Sequence, residues 1–338
     1  MHRRALCALV AFAAAGMLAR SAQPSLGATG WENTSGMGWT YCSMIGAQTG
    51  DRIYLIGDRY ALHIYDISAN AWSEGGAVPK NQYGPVAAVG GKIYVIGGVY
   101  LSGGTLLERS GDPSATLQCA NNETTGTRVT ADVQAYDPAT DSWTYVAALP
   151  SPRAYGAAVV LDGKIHLIGG GNYQGPAWDN LDNHLVYDPK TDTWSSLAAM
   201  PSTRVAPGLV ADAASGKIYA IGGWDSSTQN PTGRNDVYDS ATDTWATKPS
   251  MPTARSDVGA ALLNGLIYVV GGSTVNAPVS TVERYDMAKQ AWTNAMPLPA
   301  RLPMAYAFAV KGVLYVTAGN QCQGSTCYGT NRFWTLTP

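Results

Sequence analysis

Five times the chain carries Tyr-Asp followed by a Trp seven residues after the Tyr: Tyr65-Asp66 with Trp72, Tyr136-Asp137 with Trp143, Tyr187-Asp188 with Trp194, Tyr238-Asp239 with Trp245, and Tyr285-Asp286 with Trp292. An apolar run closing on a glycine pair alternates with it. The clear copies are Ile93-Tyr94-Val95-Ile96-Gly97-Gly98, Ile165-His166-Leu167-Ile168-Gly169-Gly170, Ile218-Tyr219-Ala220-Ile221-Gly222-Gly223 and Ile267-Tyr268-Val269-Val270-Gly271-Gly272. Weaker copies end at Gly57-Asp58 and Ala318-Gly319. Each Trp precedes the next such ending by 25 to 28 residues, and Trp31 stands 26 before Gly57, which makes it a sixth Trp without its own Tyr-Asp. A repeat of about 50 residues built from short apolar runs and turn residues cannot bury its faces alone, so the copies must stack on one another.

The composition agrees with many short strands. Gly numbers 38 of 338 residues, Tyr 19 and Trp 10, while charged residues make up 14%. That balance excludes a coiled coil, a collagen and a disordered chain. Asp137-Pro138 to Asp141 and Asp188-Pro189 to Asp192 read as turns, because Asp bonds its own backbone and Pro presets φ.

With Gly-Gly, Tyr-Asp and Trp in fixed order from residue 29 to 338, the chain resembles the kelch-repeat β-propeller family, the group to which the central domain of galactose oxidase also belongs. The resemblance implies an all-β, six-bladed propeller of four-stranded antiparallel blades. Its ring would be closed by an N-terminal strand around Trp31 joining the last blade, whose first three strands are expected between Leu314 and Leu336. Galactose oxidase uses copper held by Tyr and His. Its fold has seven blades and a further domain, so the resemblance brings no metal or cofactor to this chain.

Residues 1–21 read as a signal peptide, with a basic start at His2, Arg3 and Arg4, an apolar run from Ala5 to Ala19, and small residues at Ala19 and Ser21. An uncut membrane anchor is the rival reading. After cleavage no segment is apolar and long enough to span a bilayer. Residues 22–338 are expected to form one propeller, secreted or periplasmic, with a loop inserted in blade two at about 99–131. The net charge of −2 grows more negative once the leader and its arginines are removed, and no basic cluster exists to neutralise phosphates, so nucleic acid is not expected as a partner. Cys42, Cys119, Cys322 and Cys327 remain after the leader. Three pairings are possible, and we favour Cys322–Cys327 across a short loop, with Cys42–Cys119 pinning the insertion.

Strand order puts the connections from strand two to three, and from strand four to the next blade, on one face, here the top. Arg153, Arg204, Arg255 and Arg301 follow Pro-led segments there, with Gln82 and Tyr41 at the matching points of blades two and one. A ring of Arg could bind carboxylates, acidic peptides or anionic sugars bidentately. It could equally pack on neighbouring backbone. Tyr173, Trp178 and Trp224 are candidate aromatic platforms for a sugar ring. Asp179, Asp182 and Asn183 lack the spacing of a calcium loop. HExxH, GxSxG and P-loop motifs are missing. The expected function is therefore an exported module binding a protein or carbohydrate through its top-face loops. One alternative is a sugar-processing enzyme such as a sialic acid mutarotase or epimerase, using Glu108 or Glu283 as the carboxylate. The other is an adhesive surface protein.

Overall fold

The structure is a computed structural model, and it describes residues 30–34, 44–57, 61–80, 84–101, 127–174, 177–318, 320–323, 326–329 and 332–338. Within them the chain forms six four-stranded antiparallel sheets. The innermost strands are Met44–Thr49, Val86–Val89, Ala157–Leu161, Gly208–Asp212, Gly259–Leu263 and Ala305–Val310, each touching the next and the last touching the first. The expected closure is present: Glu32 pairs with Thr335 and Asn33 with Trp334, so the N-terminal strand is the outer strand of blade six. The inner strand of that blade, Ala305–Val310, lies before the segment in which the sequence placed it. Sealing one blade with both ends removes the two edges an open ring would expose.

The core is six slabs, not one centre. Each apolar cluster joins two neighbouring blades, and the slab of Met44, Ile53, Leu55 and Tyr65 against Phe308, Val310, Tyr315 and Phe333 closes blade one on blade six. The second strands of blades one, two, four and five read Ile, Val, Leu, Ala and Tyr without polar interruption because both their faces are covered. Ile53, Ile93, Ile165, Ile218 and Ile267 are all fully buried.

The repeat residues tie blade to blade. Trp143, Trp194, Trp245, Trp292 and Trp31 each donate Nε1–H to a backbone carbonyl of the preceding blade, on Gly76, Ala147, Ala198, Pro249 and Met296. Each of the first four rings also lies 5.0 to 5.4 Å from the Tyr of its own Tyr-Asp pair. Asp141, Asp192 and Asp243 take positive φ in the outer hairpin. Their Oδ1 atoms accept both the Tyr hydroxyl of their own blade and a backbone N–H of the previous one. One carboxylate thus satisfies donors on two blades at once, as repeat architectures require.

The glycine pairs have a packing reason. A Cβ on Gly169 would stand 2.4 Å from the Arg204 carbonyl oxygen, and one on Gly222 would stand 2.5 Å from that of Arg255. Both glycines also take positive φ. The following glycine then donates its N–H to that same carbonyl, Gly170 to Arg204 and Gly223 to Arg255. Only a residue without Cβ admits this approach.

The two faces differ. The lower one carries tight turns, such as Gly90-Gly91, Asp162-Gly163 and Asn264-Gly265. The upper one carries the longer connections. The blade-two hairpin runs past its glycines to Leu101 paired with Thr127; residues 102–126 of the insertion lie outside the described residues. Gly171–Gln174 pairs with Ala177–Asn180 in blade three, a small sheet holds Arg204–Val205, Trp224–Asp225 and Asn230–Pro231 in blade four, and Asn320–Gln323 pairs with Thr326–Gly329 in blade six.

Candidate functional site

The recurring arginines sit at the top end of the inner strands, as their spacing implied, but their side chains turn into the blades. Arg153 is 2% exposed, and Arg204 and Arg255 are fully buried. Arg204 donates from Nη2 to Asp236 Oδ2 at 2.6 Å and from Nη1 to the carbonyl oxygens of Ala220 and Gly222. Arg255 repeats the arrangement with Glu283 Oε2 at 2.8 Å and the carbonyls of Gly271 and Thr281. Met200 and Met251 sulfurs accept the remaining Nη2 contacts. Burial brings the Arg204 guanidinium down to about 10, still charged at neutral pH, with Asp236 opposing the shift. These guanidinium groups are engaged by the protein itself and offer nothing to a ligand from solvent. A ring of ligand-facing arginines is therefore corrected to a set of buried braces. Glu283, placed near the mouth by the sequence reading, is one partner of that brace and is itself buried.

Arg153 is the incomplete member. The residue matching Asp236 and Glu283, two before the Tyr, is Leu185 in blade three. Arg153 keeps only carbonyl contacts, with Gly169 at 3.2 Å and Asn183 at 3.5 Å, and its Nε, like that of Arg204, has no partner among the described residues. Arg301 is displaced by one position from the repeat. Gly272 donates to Leu302, the role that Arg153, Arg204 and Arg255 play elsewhere, so Leu302 fills the arginine's place and Arg301 is exposed.

The other sequence candidates divide. Tyr173 and Trp178 face one another in register across the blade-three hairpin. Trp224, half-buried, pairs with Val205 and Pro231 in the blade-four ribbon. Cys322 and Cys327 are register partners across the blade-six hairpin. Tyr41, Gln82, Cys42, Cys119 and Glu108 lie outside the described residues. Asp179, Asp182 and Asn183 belong to no group of three or more candidate metal ligands among the described residues.

What surrounds the channel mouth is the residue two positions after Arg153, Arg204, Arg255 and Leu302: Tyr155, Ala206, Asp257 and Met304. All four adopt left-handed φ, between 49° and 56°. They form a hydrogen-bonded arc around the axis: Ala206 N donates to Tyr155 O at 2.7 Å, Asp257 N to Ala206 O at 3.1 Å, and Ala305 N to Asp257 O at 3.2 Å. A non-glycine residue at positive φ costs energy and persists only where its surroundings hold it. Here the arc of inter-blade bonds does so. Tyr155 is 47% exposed and Met304 40%. Asp257 is partly open, and its carboxylate accepts the Ser256 hydroxyl at 2.6 Å. Enclosure pushes its carboxyl above the usual carboxylate range, against that hydrogen bond. Tyr306 lies just below the arc on the inner strand of blade six, the one large side chain among Ile45, Pro85, Ala157, Gly208 and Gly259 at the same level. Burial, and then the Asp257 charge, raise its hydroxyl. None of these four was named from sequence. Counting two residues past Arg153, Arg204 and Arg255 would have found three of them; Met304 lies two past Leu302 instead.

The fold and this mouth define a six-bladed propeller with one elaborated face. A family model for the Kelch motif matches residues 152–201, 208–252 and 254–299. Kelch-like protein terF of Aspergillus terreus is 28% identical over 67% of this chain and 48% of its own length. A putative F-box/kelch-repeat protein of Arabidopsis thaliana is 31% identical over 60% of this chain and 50% of its own, and Beta-scruin of Limulus polyphemus is 27% identical over 64% and 22%. A solved structure, "Structure of YjhT", superposes with a TM-score of 0.70 over 90% of this chain and 99% of that one at 16% identity, which establishes likeness of fold. The chain carries the Kelch motif at three places and is similar to kelch-repeat proteins, and it spans half or less of the length of the relatives just named.

Proposed function

We propose that this protein is an exported binding module that takes a partner polypeptide on its upper face, centred on the channel mouth. The observation that carries the reading is the asymmetry of the ring. Among the described residues, tight turns close one face, while the longer connections and the exposed Tyr155 and Met304 gather on the other. Rigid scaffolds with variation confined to one set of loops place recognition there. Kelch propellers as a class serve as protein-binding modules, which accords with it. Export rests on the basic and apolar leader of residues 1–21, and a Cys322–Cys327 bridge across the blade-six hairpin suits an oxidising compartment. A carbohydrate is the other ligand class this face could take, through Tyr173, Trp178 and Trp224.

The test is panning of a displayed peptide library on the immobilised propeller, with recovered ligands re-measured on two variants. Tyr155→Ala with Met304→Ala should weaken them about tenfold or more, while Lys289→Ala in a lower-face turn should leave them unchanged. Ligands that ignore the mouth and respond to lower-face changes would overturn the assignment.

One observation favours a second reading, a sugar-processing enzyme of the mutarotase type. Asp257 is a partly open carboxyl held above its ordinary range at the mouth, and its charge acts on the Tyr306 hydroxyl, a combination that suits a proton-transferring group. Proton NMR of N-acetylneuraminic acid anomers, with and without protein, decides it. Faster equilibration lost in Asp257→Asn supports the enzyme, and an unchanged rate removes it.

A further inference from the structure

The arginine ring that sequence suggested would favour acidic ligands, but the charge standing at the mouth is Asp257. Asp257 is partly open, whereas the two fully buried acids of the braces have cations and further donors. Asp236 holds Arg204, Arg234 and Thr247, and Glu283 holds Arg255 and Thr253. On Asp257 the acting influences are enclosure and one hydroxyl, Ser256, with no cation contributing among the described residues. Tyr306 is the titratable group from the adjoining blade six that feels its charge. From blade four the adjoining residues are Ala206 and Pro207, which carry no charge.

We propose that the mouth receives a cationic side chain, a lysine or arginine of a partner polypeptide, between the Asp257 carboxylate and the rim of Tyr155, Tyr306 and Met304. The inference deepens the binding-module reading and rests on it. A partly enclosed carboxylate with no cation beside it among the described residues is costly, and an arriving ammonium or guanidinium offsets that cost while keeping the hydrogen bond from Ser256. Aromatic faces beside a carboxylate attract a cation further, most where water is excluded. A carboxylate or anionic sugar would meet like charge at this point, and a neutral polyol would leave the carboxylate uncompensated. The net charge of −2 over the whole chain also favours approach of a basic partner.

The experiment is calorimetric titration of the full protein with four capped pentapeptides, acetyl-Gly-Ala-X-Ala-Gly-amide, where X is Lys, Arg, Gln or Glu. The Lys or Arg peptide should bind about tenfold or more tightly than the Gln and Glu peptides. Asp257→Asn should erase that preference without lowering the melting temperature, because it removes a carboxylate with no cation beside it among the described residues while an amide oxygen can still accept from Ser256. In the wild type, affinity for the preferred peptide should fall as pH drops through the raised Asp257 titration, a readout that needs no variant to fold. Equal binding of all four peptides, binding of none up to about 10 mM, or a Lys preference that survives Asp257→Asn would overturn the proposal. A preference for Glu that is lost in the Tyr155→Ala, Met304→Ala variant would overturn the cation and keep the module. Library ligands that ignore the mouth would overturn the module itself.

Discussion

Arg255 and Glu283 are both buried, and removing the arginine leaves Glu283 with only Thr253 to bond it among the described residues. Arg255→Met should therefore cost about 3–5 kcal/mol, the range for leaving half of a buried ion pair. Arg153→Met should cost clearly less, because Leu185 stands where the other blades carry the bonded carboxylate, so no buried acid is left behind. Chemical denaturation of the two variants side by side checks this, and equal losses would contradict it. The recurrence of the arginines was legible in the sequence, but the direction of their side chains was not. The information was nevertheless present two residues before each Tyr, where Asp236 and Glu283 match the arginines and Leu185 does not. Arg301 misled for another reason. Three prolines crowd residues 297–303, and the repeat position fell on Leu302 instead. The mouth residues Tyr155, Ala206, Asp257 and Met304 share no residue type, only a backbone conformation, so composition could not mark them.

Within a blade, strand identity was readable because covered strands need continuous apolar residues and turns need Asp, Pro and Gly. The short hairpins that extend blades three and six upward carry no such pattern, and the sequence left them as loops. Blade three also departs from the repeat inside its core. His166 takes the place of Tyr94 or Tyr268, and its Nδ1 lies 2.8 Å from His184 Nε2, both rings buried against Tyr238 of blade four. One ring donates and the other accepts, so the pair is satisfied only while at least one is neutral. Burial holds both below their ordinary 6.5, and for His184 the neighbouring His166 adds to it. The sign follows. The unfolded chain takes up protons below about pH 6.5 and the folded one does not, so the stability present above that pH is lost as pH falls. By pH 5 the loss should reach about 2 kcal/mol per histidine. His166→Tyr with His184→Val restores the pairs of Tyr94 with Val133 and of Tyr268 with Val282. It should flatten the melting temperature between about pH 7 and pH 5 relative to wild type. An unchanged slope would show that other groups govern acid stability.

At the scale of the molecule, six interfacial slabs replace a central core, and each blade depends on two neighbours. That architecture was the most legible feature of all, because spacing counts the blades and the lone Trp31 announces that one blade is shared. The character of the mouth was the least legible, because it arises where inner strands from different blades meet. Its arc of backbone bonds from Tyr155 through Ala206 and Asp257 to Ala305 exists only if the ring holds its blades in place. The most direct measurement is a cross-link at the seam. Glu32 and Thr335 face each other in the closing blade, so Glu32→Cys with Thr335→Cys should oxidise to a bridge within one molecule. Joining positions so distant in sequence should stabilise the fold by as much as about 5 kcal/mol, seen as a raised melting temperature that dithiothreitol reverses. A pair that stays reduced, or bridges only between molecules, would mean the termini do not meet and the mouth is not assembled as described.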